Sequence, residues 1–187
     1  MRIISGNYKG KKILLPKDKS TRPLKDLTKE SIFNVIKHSK LLDINLENSN
    51  ILDLFSGVGS FGLECLSRGA ANVTFLESYK EVLTVLKKNI DNLKQQGSSN
   101  IIEKDIFSEN TLKALNDKFD IIFMDPPYKE KKITTLINKI IQSDILSNDG
   151  IIIIHRHKKE ADKFPERFNI IEEKTYGISK VIFGNYL

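Results

Sequence analysis

The chain has 187 residues and a single cysteine, Cys65, so no internal disulfide and no four-ligand cysteine zinc motif can form. Hydrophobic residues make up 40% and charged residues 29%, the balance of one ordinary globular domain, and no run approaches the roughly 18 apolar residues of a membrane span. The net charge of +6 is concentrated at one end: residues 1–40 hold eleven Lys and Arg against three Asp and Glu, and the rest is close to neutral. That distribution suits a polyanion-binding arm, although a solvated basic surface gives the same count. The opening Met1-Arg2-Ile3-Ile4-Ser5-Gly6 has neither the apolar core nor the cleavage site of a signal peptide, so a reducing cytoplasm is the expected compartment.

In chain order, Arg2–Ile4 and Lys12–Leu15 flank the turn-rich, basic Gly6-Asn7-Tyr8-Lys9-Gly10 and predict a short hairpin. Pro16 to Pro23 reads as a loop, followed by a helix from about Asp26 to His38 with Leu27, Ile32, Phe33 and Ile36 near one face. Residues 39–49 are a polar connection. They divide a basic hairpin-and-helix appendage (1–40) from the main domain (41–187).

From Asn50 the pattern alternates between apolar runs and helical periods. Strands are expected at Ile51–Phe55, Asn72–Glu77, Asn100–Asp105, Asp120–Asp125 and Ile151–Ile154, with two closing strands at Asn169–Glu173 and Lys180–Phe183. Helices are expected up to Arg68 with Gly69 as stop, from the capping-box pattern Ser78-x-x-Glu81 towards Gly97, near Leu112, and around 131–142. The fold class is α/β, a doubly wound Rossmann-like sheet with helices on both faces and an antiparallel strand at one edge.

Between the first strand and its helix stands Asp53-Leu54-Phe55-Ser56-Gly57-Val58-Gly59-Ser60-Phe61-Gly62. Glycines there let a ligand approach the backbone, and the helix start supplies free N–H donors. The G-x-G-x-x-G spacing alone also fits nicotinamide and flavin sites. Asp53 shifts the balance, because a carboxylate beside the loop repels a pyrophosphate and favours a cationic ligand. S-adenosyl-L-methionine carries an ammonium and a sulfonium. Glu77, 24 residues on, suits the ribose hydroxyls, with Ser78 beside it, and Asp105 or the Ile106 backbone suits the adenine.

Asp125-Pro126-Pro127-Tyr128 ends the fourth strand. Two prolines pin the backbone and remove two donors. An ionised Asp is acceptor-only, so Asp125 and the Pro126 carbonyl can grip both hydrogens of an exocyclic amine and aim its lone pair at a methyl group. Tyr128 can stack on an extruded base. No His, Cys or acid spacing suggests a metal site, and Cys65 reads as a core residue.

These residues resemble the amino-methyltransferases with a [D/N]-P-P-[Y/F] motif. The run Leu52–Ala70, together with Ser5–Ile13, Thr21-Arg22-Pro23, Glu30–Asn34 and Tyr176-Gly177, resembles the bacterial RsmD family over nearly the whole chain. That family methylates the N2 amine of a guanine in 16S ribosomal RNA. The resemblance implies that Asp125, Pro126, Pro127 and Tyr128 hold the target amine, and that Asp53, Phe55, Ser56, Gly57, Gly59, Glu77, Ser78, Asp105 and Ile106 hold S-adenosyl-L-methionine. It implies that Arg2, Tyr8, Lys9, Lys11, Lys12 and Arg22 meet 16S ribosomal RNA, within a small-subunit particle, with no metal and no membrane. The chain departs from the family at Leu24, at Arg156-His157 after the fifth strand and at Ile178-Ser179, which touches base recognition. The alternatives are amino-methylation of DNA adenine or cytosine, of another RNA or of a protein glutamine, a non-catalytic RNA-binding assembly factor, and a nicotinamide-dependent oxidoreductase.

Overall fold

The computed structural model describes residues 1–17 and 24–186. Seven strands form one sheet: β1 (Asn50–Leu54), β2 (Asn72–Leu76), β3 (Ser99–Ile102), β4 (Phe119–Met124), β5 (Leu146–His157), β6 (Phe168–Tyr176) and β7 (Ser179–Tyr186). Their order is β3-β2-β1-β4-β5-β7-β6. The pairs from β3 to β5 are parallel, and β7 runs antiparallel to both β5 and β6. Among the described residues the α-helices are α1 (Asp26–His38), α2 (Ser60–Ser67), α3 (Lys80–Asn92) and α4 (Ile133–Ser143).

Strand side chains alternate between faces, and the apolar runs therefore feed two cores. Ile51, Val73, Phe75, Ile121, Phe123, Ile151, Ile153, Val181 and Phe183 pack under α1, α2 and α3. Leu52, Leu54, Leu76, Ile122, Met124, Ile152, Ile154 and Ile182 pack under α4. Every residue of α2 is buried, because the N-terminal segment covers the side turned away from the sheet. Phe33, Phe61 and Phe123 stack from α1 through α2 to β4, with centroids 5.2 and 3.9 Å apart.

The expected hairpin is a single antiparallel bridge, Arg2 to Lys12, closed by Ile3 N–H to Lys11 O (2.9 Å) and Gly10 N–H to Ile3 O (2.9 Å). It is anchored to α2 by Glu64, whose carboxylate accepts from the amides of Ile4 (2.8 Å) and Ser5 (2.9 Å) and from Arg68 Nε (2.8 Å). The fully buried Lys29 of α1 reaches the same carboxylate at 3.3 Å and donates to Arg2 O at 2.9 Å. Ile3, Ile13 and Leu24 join the core shared by α1–α3 and the sheet.

Four local expectations are corrected. Leu27 faces solvent, and Thr28 and Lys29 are buried in its stead, so the buried stripe of α1 starts one residue later. The capping box does not form: Glu77 accepts from the Ser78 and Tyr79 amides, and α3 starts at Lys80 with no side-chain cap. The third strand stops at Ile102, and no helix forms near Leu112. There the Asp105 carbonyl accepts from both the Ser108 amide (3.1 Å) and the Thr111 hydroxyl (2.8 Å), holding the chain in turns.

Candidate active site

The C-terminal ends of the parallel strands open onto a cleft of about 690 Å³, where open α/β sheets hold their ligands. Its walls come from the glycine turn after β1, the ends of β2 and β3, the Asp125–Tyr128 segment after β4, and the facing ends of β5 and β7.

The three glycines of the turn differ in what they do. A Cβ on Gly59 would stand 2.5 Å from Leu86 Cδ1, and one on Gly62 would stand 2.4 Å from Phe75 Cε1, so both serve helix–sheet packing. A Cβ on Gly57 would meet nothing nearer than Phe55 O at 4.0 Å, so its backbone is what the cleft sees. Gly57 (φ 55) and Gly59 (φ 83) both hold left-handed backbone, and so does Phe55 (φ 57), whose ring tilts against Phe107 at 6.1 Å. Those two rings, with Ile106 and Leu76, give the cleft an apolar slot. Ser56 and Gly59 lie behind the surface, and the Ser56 hydroxyl has no hydrogen-bond partner among the described residues.

Asp53 is also behind the surface, 1% exposed, and its Oδ2 accepts the Gly62 amide at 3.0 Å. The N-cap of α2 is Gly59, which has no side chain to satisfy the first amides, so β1 supplies the cap. Burial pushes the Asp53 carboxyl up, the Gly62 amide pulls it back, and the Asp125 and Glu77 carboxylates push it further, to about 8. The folded chain then holds a proton that the unfolded chain releases near the usual 3.8. That contribution to stability is complete below about pH 4 and is lost as the pH rises through about 8. Asp53→Asn removes this titration. Its melting temperature should gain on that of the wild type as the pH is raised from about 5 to about 9, and a constant difference would contradict the assignment.

Glu77, at the end of β2, spans the gap to the glycine turn. Oε2 accepts Gly57 N–H (2.9 Å), and Oε1 accepts Ser78 N–H (2.8 Å) and Tyr79 N–H (2.9 Å). Asp105 turns its Oδ1 onto the Phe107 amide at 2.9 Å, which places Ile106 and Phe107 in the wall. Phe55, Gly57, Glu77, Ser78, Asp105 and Ile106 thus share one side of the cleft.

The opposite side holds Asp125, Pro126, Pro127 and Tyr128, and strand register explains their setting. β4 ends at Met124, paired with Ile154, whereas β5 runs on to His157. Asp125 therefore lies beside His155. Asp125 Oδ1 and His155 Nδ1 are 2.8 Å apart, and His155 Nε2 is 2.9 Å from Ser179 Oγ on β7. From the other face of β5 the fully buried Arg156 makes a two-pronged bond to Asp162 (2.8 and 3.0 Å). It also donates to the carbonyls of Pro127 (3.3 Å) and Glu130 (2.9 Å). The departure at Arg156 is thus a clamp on the backbone of the tetrapeptide loop. Pro127 O accepts a second bond, from Glu130 N–H, while Pro126 O accepts none among the described residues. The Tyr128 ring meets His157 edge-on at 5.4 Å.

The described basic candidates, Arg2, Lys9, Lys11 and Lys12, are spread along the hairpin and none of them lines the cleft. Arg2 and Lys12 pair near the start of α2, where Met1 and Arg2 meet Ser60 and Lys29. The tip lies at the opposite end of α2, with Asn7 N–H on Ser67 O and Tyr8 N–H on Ser67 Oγ. Lys9 and Lys11 are exposed there, whereas the Tyr8 ring packs on the core and its hydroxyl accepts from Gln95 Nε2 at 2.6 Å. Arg22 lies outside the described residues. The cations that do line the cleft are Lys25 and Lys104, accompanied by Thr28, Glu130, His155, Ile178 and Ser179. Of these, the sequence had marked the Ile178-Ser179 pair and, in the charged run after the tetrapeptide, Glu130, but not Lys25, Thr28, Lys104 or His155. Lys25 stood in the basic end and His155 just past the apolar run Ile151–Ile154, but nothing local marked either.

Residues 1–185 match the family described as conserved hypothetical protein 95. The chain is 35% identical over 176 residues to the ribosomal RNA small subunit methyltransferase D of Buchnera aphidicola from Acyrthosiphon pisum, covering 92% of this chain and 86% of that one. It is 32% identical to the protein of the same name from Haemophilus influenzae, with 95% and 90% covered. A solved Escherichia coli structure, described provisionally as a methyltransferase, superposes with a TM-score of 0.80 at 26% identity, covering 100% of this chain and 97% of that one.

Proposed function

The chain belongs to the RsmD family, which the conserved hypothetical protein 95 description covers, and from that premise we propose that it transfers a methyl group from S-adenosyl-L-methionine to the N2 amine of a guanine in small-subunit ribosomal RNA. The observation that carries this reading is that the glycine turn and the Asp125–Tyr128 segment face each other across one cleft.

The cofactor suits one side of it. Gly57 leaves room at the backbone, Glu77 and Asp105 offer acceptors to hydroxyl and amino groups, and Phe55, Ile106 and Phe107 offer an apolar slot for a purine. The paired acids also favour a cationic ligand over a phosphorylated one. Bound there, S-adenosyl-L-methionine supplies an electrophilic methyl group.

The other side suits the acceptor base. An amine conjugated to a purine is a poor nucleophile, and two acceptors fixed on its two hydrogens favour a pyramidal nitrogen with its lone pair free. Asp125 and the Pro126 carbonyl are those acceptors, held still by the prolines and by Arg156 below them. Tyr128 stacks on the base, and Lys25 and Lys104 at the walls meet flanking phosphates. Arg2, Lys9, Lys11 and Lys12 extend the basic track, with Tyr8 fixing the hairpin tip to Gln95 just beyond α3.

The test is transfer of labelled methyl from S-adenosyl-L-methionine to small-subunit particles and to naked 16S RNA from a strain lacking the gene. Label in RNA from either substrate is the expected result, and the faster substrate identifies the particle or the free RNA as partner. No label in RNA despite measured cofactor binding would reject the reading and direct attention to DNA and protein amines.

A further inference from the structure

We propose that His155, itself held by Ser179, is the positioning residue that fixes the Asp125 carboxylate for methyl transfer. The inference rests on the reading of Asp125 as an acceptor for the target amine.

The prolines after Asp125 pin its backbone, but they do not fix its side chain. The terminal torsion of an aspartate is broad and nearly two-fold, so a carboxylate with no partner would present either oxygen over a range of directions. The target amine needs an acceptor in one direction. His155 removes that freedom. It is 6% exposed, and both of its ring nitrogens are engaged: Nδ1 with Asp125 Oδ1 at 2.8 Å and Nε2 with Ser179 Oγ at 2.9 Å.

The chemistry sets the direction of this chain. A carboxylate only accepts, so Nδ1 carries the proton and donates it to Oδ1. In the neutral ring Nε2 is then the acceptor, and the Ser179 hydroxyl donates to it. Oδ1 is spoken for, and Oδ2 is left for the ligand.

Strand order builds the arrangement. Asp125 follows the last paired residue of β4, Met124, whose partner is Ile154. His155 pairs with Val181, and Ser179 stands two residues before Val181 on the same face of β7. Three neighbouring strands therefore bring Asp125, His155 and Ser179 into one row at the sheet edge. All three line the cleft, so core packing does not account for them.

Two measurements test this. Long-range nitrogen–proton spectra of the wild type, with the ring assigned through His155→Asn, should show His155 protonated at Nδ1. A neutral ring protonated only at Nε2 would overturn the proposal. In single-turnover methyl transfer to 16S RNA, His155→Leu should lower the rate about 10²-fold, the scale expected when a reacting group is misplaced by an ångström. Its affinity for S-adenosyl-L-methionine should stay within about twofold of wild type. His155→Asn, whose side-chain amide can donate to Oδ1, should recover about tenfold of that loss. Ser179→Ala, which removes only the outer hydroxyl and spares the packing, should lower the rate by about threefold to tenfold. Wild-type rates in His155→Leu, or an Asn variant no faster than the Leu variant when both fold and bind cofactor, would refute it. If His155→Leu does not fold, an unchanged rate in Ser179→Ala together with an Asn variant as slow as Asp125→Ala would do the same. Failure of the underlying reading looks different: Asp125→Ala itself would then transfer methyl at the normal rate.

Discussion

Asp125→Ala should lower methyl transfer by about 10²–10³-fold while leaving S-adenosyl-L-methionine affinity within about twofold of wild type, by analogy with the loss of one fixed hydrogen-bonding group from a transition-state site. The substitution removes one of the two acceptors proposed for the target amine and leaves Pro126 O alone. It also leaves His155 Nδ1 without its partner at 2.8 Å. The cofactor side of the cleft, with Gly57, Glu77 and Ile106, comes from other strands and is untouched. The loss therefore belongs in the rate of the chemical step, seen in single turnover, with cofactor binding followed by calorimetry. A variant that methylates RNA at the wild-type rate would show that the amine is held elsewhere.

The largest effect on stability is expected at Glu64. Its carboxylate is completely buried and satisfies two backbone amides, Arg68 and Lys29 at once. Burial lowers the Lys29 pKa and the Glu64 charge raises it back, so the ammonium depends on this partner. Glu64→Ala leaves a buried cation and two amides unpaired, a change that costs about 3–5 kcal/mol. Urea unfolding should show it, and limited proteolysis should cut the variant within residues 1–15 first, because that segment loses its anchor on α2. A loss below about 1 kcal/mol would mean that the network is not what holds the N-terminal segment. The RNA contacts proposed for Arg2 and Lys12 rest on the same anchor.

The parallel strands were legible because both faces of the sheet are covered, which forces near-continuous apolar runs such as Ile151–Ile154. α1 was legible to its ends, since its period and flanks are local. Of the residues expected at the cofactor, Phe55, Gly57, Glu77, Ser78, Asp105 and Ile106 line the cleft because they follow recognisable strands, whereas Asp53, Ser56 and Gly59 lie behind its surface. What the sequence hid lies in long-range partnership. β5 starts at Leu146 and ends at His157, but its polar Ser147-Asn148-Asp149 and His155-Arg156-His157 masked both ends. The partner of Asp125 is 30 residues away and depends on the register of β4 with β5. Nothing local marks the ionisable Glu64 and Lys29 as buried, because only the folded N-terminal segment covers them. Ser78 and Glu81 looked like a helix cap, and Glu77 outcompeted them from the neighbouring position.

Methylation of a guanine at N2 is read out by digesting RNA labelled by the wild-type enzyme to nucleosides and identifying the one that carries the methyl group. N2-methylguanosine is the expected labelled product, reduced about 10²–10³-fold in initial rate when Asp125→Ala replaces the wild type. Label in N6-methyladenosine or N4-methylcytidine would contradict it, and would mean that the cleft between Asp125 and Tyr128 accepts a different base.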